Sequence, residues 1–211
     1  MSDAREHVLA AVRAALGDRA GMTPPRSAPA VQSPTPREQL VALFIERLSD
    51  YGASVTRSDP ATVGDALRDA CERHAARRLA IPPGLPDSWR PDGIELIADD
   101  QLTPQQLDAL DGVITGAALG IAESGTIALD GAPDQGRRAL TLIPDLHLCV
   151  IEADRVVASL PDALPALAAA IDPGGRPITL ISGPSATSDI ELRRVQGVHG
   201  PRRLEAIIVG G

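Results

Sequence analysis

From Thr35 onward the chain alternates capped, amphipathic helical stretches with short aliphatic runs, and that alternation restricts it to a layered α/β sheet. Thr35-Pro-Arg-Glu38 reads as a capping box with proline at the first helical position, followed by Leu40, Val41, Phe44, Ile45 and Leu48 on one face. Ala53 to Thr56 reads as a strand, Asp59-Pro60 as the cap of a helix to about His74, and Arg78 to Ile81 and Ile94 to Ala98 as further strands. Thr103-Pro-Gln-Gln106 repeats the capping logic for a short helix that ends before Gly112. Val113 to Thr115, Leu119 to Ala122 and Thr126 to Leu129 then follow closely without helical inserts, the spacing of hairpins. His147 to Glu152 and Arg155 to Ala158 read as a strand pair turned at Ala153-Asp154, Pro161 to Ile171 as an Ala-rich helix, and Leu204 to Val209 as the last strand. The expected fold is a layered mixed sheet flanked by helices, without internal repeats.

Composition narrows the chemistry. The 211 residues include one Trp, one Tyr and one Phe, so the core is built from Ala, Val, Leu and Ile, and stacking on nucleobases is largely excluded. Every basic residue is arginine. The absence of lysine removes Schiff-base and phosphate-loop lysine mechanisms, and the net charge of −8 disfavours nucleic acid and anionic membranes as partners. Cys71 and Cys149 lack a C-x-x-C partner, and His7, His74, His147 and His199 are scattered, so no metal site or cofactor held by this chain is expected. No apolar run approaches a membrane span and the N-terminus lacks signal-peptide features, from which a cytoplasmic protein is expected.

Ala4 to Leu16 carries a helical apolar stripe closed by Gly17, and Gly17 to Pro36 is rich in Pro, Ser, Ala and Gly. These divide the chain into a helix and linker over 1–36 and an α/β domain over 37–211. The first helix is a candidate for docking on a neighbouring subunit in a homo-oligomer.

Four polar, Gly-rich segments are candidates for function. Ser182-Gly-Pro-Ser-Ala-Thr-Ser-Asp-Ile-Glu191 follows the apolar run Pro177 to Ile181, which reads as a buried strand emptying into a loop, the place where open α/β sheets bind ligands. Ser182, Ser185, Thr187 and Ser188 offer hydroxyls, Gly183 close backbone approach, and Asp189 and Glu191 carboxylates, a set suited to an anionic small molecule. The same residues equally suit a helix start at Ser188. Ala122-Glu-Ser-Gly-Thr126 places Glu123, Ser124 and Thr126 on a tight turn, where Glu123 is either a solvated turn residue or a base or nucleophile. Asp130 to Arg138 delivers Gln135 and the paired guanidinium groups of Arg137 and Arg138, which suit a carboxylate or phosphate, or ion pairs with Asp130 or Asp134. Gly197-Val-His-Gly-Pro-Arg202 presents His199, a candidate for proton transfer, and Arg202. No G-x-S-x-G elbow is present.

In order, Gly-Ile-Ala-Glu-Ser-Gly-Thr-Ile-Ala-Leu-Asp130, Gln-Gly-Arg-Arg-Ala-Leu140, Leu-Ile-Pro-Asp-Leu-His147, Ser182 to Glu191 and Gly-Val-His-Gly-Pro-Arg202 resemble the lactate utilization protein C family, the small LUD-domain proteins also called YkgG. The resemblance covers roughly residues 112 to 209. It implies a fold similar to the sugar-phosphate isomerase and CoA-transferase group, and a role in oxidising L-lactate to pyruvate beside two partner proteins that carry iron–sulfur clusters. On that reading the chain binds a small anion or organises the complex, rather than being catalytic alone. The resemblance names no catalytic residue, and Glu123 compares with the CoA-transferase glutamate only at the level of the fold. The other readings are a free-standing transferase- or isomerase-like enzyme on a phosphorylated or CoA-linked small acid, with Glu123 as base or nucleophile, and a non-catalytic ligand-binding scaffold.

Overall fold

The computed structural model describes residues 2–16, 35–171, 175–184, 186–188, 194–196 and 199–211. Residues 1–30 form one unit, containing helix α1 (Ser2–Leu16), and residues 31–211 form the other. In the second unit, β1 (Ser54–Ser58), β12 (Arg203–Val209), β7 (Leu146–Glu152), β4 (Gly112–Gly116), β2 (Arg78–Ile81) and β3 (Glu95–Ala98) lie side by side in that order. Every pairing in this sheet is parallel. A second sheet runs β8 (Val156–Val157), β5 (Leu119–Ile121), β6 (Thr126–Leu129), β9 (Thr179–Ile181), and β10 (Ala186–Ser188) pairs with β11 (Arg194–Gln196). The layered α/β architecture stands, with its mixed character confined to the second sheet, where β5 pairs antiparallel with β6 and parallel with β8.

Side-chain alternation sorts the core into layers. Cys149 and Ile151 of β7 and Ala206 and Ile208 of β12 face helix α2 (Arg37–Asp50), which buries Leu40, Val41, Phe44 and Leu48 among them. The intervening Leu148, Val150 and Ile207 face helix α3 (Val63–Arg73), through Val63, Leu67 and Cys71. Helix α4 (Pro104–Asp108) contributes Leu107 to a smaller cluster with Ala80 and Val113, and helix α5 (Leu160–Ile171) covers the second sheet with Ala163 and Leu167. Phe44 is fully buried, and its truncation to alanine is expected to cost about 3–5 kcal/mol.

Several local expectations are corrected. The box at Thr103 forms in full, with Gln106 N donating to Thr103 Oγ1 at 3.2 Å and Thr103 N to Gln106 Oε1 at 2.8 Å. Helix α2, however, starts one residue later than expected, with Pro36 at the N-cap and no side-chain capping bond from it. Asp59-Pro60 belongs to a turn in which Thr62 N donates to Asp59 O, and α3 begins only at Val63. β7 and the run from Arg155 are not a strand pair: a short 3-10 turn, Ala153–Arg155, carries the chain from the first sheet to the second, where β8 pairs with β5. β4 and β5 likewise part to different sheets, leaving β5–β6 as the hairpin. β9 is an edge strand antiparallel to β6, with Leu180 half exposed, rather than a buried strand of the parallel sheet.

Candidate functional site

The site is built where β7 begins. His147, its second residue, pairs with Val113 of β4 and Leu204 of β12, which places it on the same face as Cys149 and Ile151. It is fully buried, and burial, with the Arg138 charge adding to it, pushes its pKa down to about 4, so the ring is neutral at pH 7. Its Nε2 lies 2.7 Å from Thr115 Oγ1, and the Thr115 hydroxyl donates to Gly116 O at 2.9 Å. The Thr115 hydroxyl, which can donate or accept, meets Nε2 in either ring tautomer. Nδ1 is buried with no hydrogen-bond partner among the described residues.

His147 forms part of the wall of a cavity of about 230 Å³, with Arg138, Thr141, Ser182, Gly183 and His199. A second cavity of about 560 Å³ shares Arg138 and Thr141 and extends to Gln135, Arg137 and Arg176. Because one wall of each comes from the segment after Gly131 and the other from β9 and its flanks, the two are successive parts of one groove. The groove reaches the amino ends of β7 and β12 through His147 and Leu204, not the carboxyl edge of the parallel sheet as the strand-to-loop reading implies. The cause is the placement of β9 in the second sheet, which delivers Ser182 to this region.

The paired arginines separate. Arg137 donates to Asp99 through Nε at 2.6 Å and Nη2 at 2.7 Å, and Nη2 also meets Leu102 O at short range. Its partner is neither Asp130, which pairs with Arg176, nor Asp134. The hydrogen bond from Arg137 holds the Asp99 carboxyl below the usual carboxylate range. Arg138 donates to Thr141 Oγ1 at 2.9 Å and to His199 O at 3.5 Å, and among the described residues it has no carboxylate partner. Burial lowers its pKa, the mark of a charge partly stripped of water.

The remaining candidates stand in several different settings. Ser124 Oγ, Thr126 Oγ1 and Ser182 Oγ form a chain of hydroxyls with two 2.7 Å separations, tying the β5–β6 turn to the end of β9. Gln135 uses Oε1 to accept from Asp130 N at 2.7 Å, which closes the 130–135 turn. Glu123 is exposed and lines neither cavity, and Arg202 is engaged with Asp145 at 3.1 Å on the surface. Gly183, at φ +83°, is approached by Tyr51: a Cβ there would stand 2.6 Å from Tyr51 Cβ, so the protein itself uses part of the close approach. Thr187 and Ser188 belong to β10, paired with β11, rather than to a helix start. Ser185, Asp189 and Glu191 lie outside the described residues.

His147, Thr141 and Thr115 are the residues that motif reading passed over. The available signal was a histidine inside the otherwise apolar run Leu146 to Ile151, since a buried polar group demands a partner. Cys71 and Cys149 are buried, free thiols pushed up to about 11 and about 12 by burial, which disqualifies them as nucleophiles at neutral pH. Among the described residues no group of His, Cys, Asp or Glu is arranged to hold a metal ion. None of the described helices is long and apolar enough to cross a membrane.

The LUD domain model matches residues 89–209, which include the groove's structural elements from β4 through β12. Lactate utilization protein C of Deinococcus radiodurans is 45% identical over 199 residues, 94% of this chain and 91% of that protein. Lactate utilization protein C of an Exiguobacterium species is 28% identical over 221 residues, covering 97% and 95%. A crystal structure of a DUF162 family protein from Deinococcus radiodurans superposes with a TM-score of 0.73 at 39% identity, over 84% of this chain and all of that one. Family model, near full-length identity and shared α/β architecture agree, and the chain belongs to the LUD domain family, in its lactate utilization protein C branch.

Proposed function

We propose that this chain is a subunit of a multi-protein L-lactate oxidation system, working beside iron–sulfur partner proteins, and that its groove binds a small carboxylate. The observation that carries the binding role is Arg138: a partly desolvated guanidinium, without a carboxylate partner among the described residues, bordering a cavity that Ser182 also lines. Such a group gains most from an anion, because a fork of N–H donors matches two carboxylate oxygens and the surrounding protein weakens solvent competition. The lactate setting is supported by the names of the relatives above.

The experiment has two arms. Lactate-dependent electron transfer is measured in the assembled system with and without this chain, together with co-purification of the components. Association and a rate that depends on the chain are expected; full activity without it, and no association, would overturn the lactate role. In the second arm, calorimetric titration of the isolated chain with small carboxylates is expected to show binding that Arg138→Ala abolishes. The free-standing enzyme reading gains no support from Glu123, which stands exposed and outside the groove.

A further inference from the structure

We infer that the outer face of α5 is the surface on which two copies of this chain associate, the helices packing antiparallel across a two-fold axis with Leu164 of each copy set over Ala168 of the other. The association does not depend on the carboxylate site, since no residue of α5 lines either cavity of the groove.

A helix on the outside of an α/β layer turns its apolar residues inward and its charged ones to water. α5 does the first and not the second. Ala163 and Leu167 pack on the second sheet, while Leu160, Leu164 and Ile171 stand 43%, 47% and 51% exposed. At 3.6 residues per turn these three fall within about 40° of one another, a single stripe that also takes in the exposed Ala168. Half of the six large apolar side chains exposed among the described residues of the 31–211 unit are on this one helix, which sets the stripe apart from the single exposed apolar residues normal for a surface. Leu180 adds a fourth: Ala128, directly across from it, packs with Ala163 and Leu167, so Leu180 lies on the sheet face that α5 covers and is left half exposed there.

Charge selects the occupant. The chain carries a net charge of −8 and 23% of its residues are charged, yet α5 has no basic residue, and its one carboxylate, Asp162, is taken up by Ser159 N at 3.1 Å and Ser159 Oγ at 2.6 Å. Two copies of so acidic a chain repel over most of their surface, and least where neither presents a charge. A contact of the stripe with its own copy meets that condition on both sides, and it is isologous, the commonest way in which soluble proteins pair. The stripe also complements itself in shape. Ala168 stands one turn after Leu164, so an antiparallel pair sets each leucine over the other copy's alanine notch and Ile171 opposite Pro161. The twelve residues of α5 make a helix about 18 Å long. Two such faces with their flanks cover on the order of 1,000 Å², the lower limit for a specific interface, which corresponds to a reversible dimer of micromolar affinity.

Sedimentation equilibrium of the full chain, over about 1 to 200 μM, is expected to show a reversible monomer–dimer equilibrium with a micromolar dissociation constant. Leu164→Asp places an unpaired carboxylate from each copy in the contact and is expected to weaken dimerisation at least about hundredfold; Ala168→Arg, which fills the notch, is expected to weaken it at least about tenfold. Both positions are exposed in the single chain, so the midpoint of thermal unfolding, measured where the unsubstituted chain is monomeric, should stay unchanged in both variants. Mixing the two variants is expected to restore a dimer, because the new carboxylate of one then meets the new guanidinium of the other. Val12→Asp, on the exposed apolar stripe of α1, is expected to leave the dimer intact. A chain that stays monomeric to the highest concentration, a dimer that survives Leu164→Asp, a mixture that stays monomeric, or dispersal by Val12→Asp overturns the α5 contact. The first of these leaves the face to a different protein, and the last moves the contact to α1.

Discussion

Arg137 and Asp99 share two hydrogen bonds, Nε to Oδ2 at 2.6 Å and Nη2 to Oδ1 at 2.7 Å, and this pairing decides which of two adjacent arginines is available to a ligand. The Asp99 side chain is only 3% exposed and also accepts from Leu102 N at 3.0 Å, so the carboxylate anchors the loop after β3 to the segment that carries Arg138. A guanidinium used in this way holds the backbone in place; its neighbour is left to face the groove.

Exchanging either arginine separates these roles. Arg137→Ala leaves a buried carboxylate without its cation, and, with screening at the partly exposed arginine, is expected to cost about 2 kcal/mol in urea denaturation. Arg138→Ala removes a charge that has no carboxylate partner among the described residues, and is expected to change stability by less than about 1 kcal/mol while abolishing carboxylate binding. Equal stability losses in the two variants would contradict this division.

Stability is expected to decline as pH falls from about 6.5 to about 4 because of His147. Its folded pKa is depressed to about 4, so across this interval the unfolded chain binds a proton that the folded one excludes. Stability therefore rises with pH through the window and is flat above it, the contribution reaching roughly 3 kcal/mol by the foot of the window. Denaturation midpoints at a series of pH values, with His147→Gln as reference, check the sign: the slope between pH 4 and 6.5 should be shallower in the variant.

Gly125 is expected to be intolerant of a side chain. At φ +58° it already occupies left-handed backbone, and a Cβ would lie 2.6 Å from Arg47 Cβ and 2.8 Å from Leu48 N on helix α2. Gly125→Ala should destabilise by about 2 kcal/mol or more, since helix and turn would have to part. Thermal unfolding measures it, and a neutral result would show that the turn can move away from α2.

Glu123→Gln, two positions earlier in the same turn, is expected to leave stability within about 0.5 kcal/mol and carboxylate affinity unchanged, because the side chain is exposed and lies outside both cavities. A large loss of affinity in calorimetry would place this turn in the binding site.

Much of the scaffold was legible in the chain itself. The Thr103 box, the aliphatic face of α2 and the strand runs at 78–81 and 204–209 follow from capping chemistry and periodicity, which act over a few residues. The assignment of strands to sheets did not follow. Leu146 to Glu152 and Val156-Val157 look like the two arms of a hairpin because only a short turn separates them, yet that turn transfers the chain between sheets. Local pattern records that a strand exists; its neighbour is set by which surfaces remain to be covered.

The site shows the same division. Arg138, Ser182, Gly183 and His199 were visible as polar residues in Gly-rich segments, and the structure brings them to one cavity. His147 was hidden, because a histidine in an apolar strand becomes informative only when its partners are known. The sequence by itself determined an arginine-only, nearly aromatic-free α/β chain with polar loops at strand ends, since composition, capping and alternation are properties of neighbouring residues. Only the tertiary structure decided that Asp99 takes Arg137, that β9 lies on the second sheet, and that His147 Nδ1 is buried with no partner among the described residues. Each of these depends on groups far apart in the chain meeting in a desolvated interior, where an unmatched charge or lone pair becomes costly enough to matter.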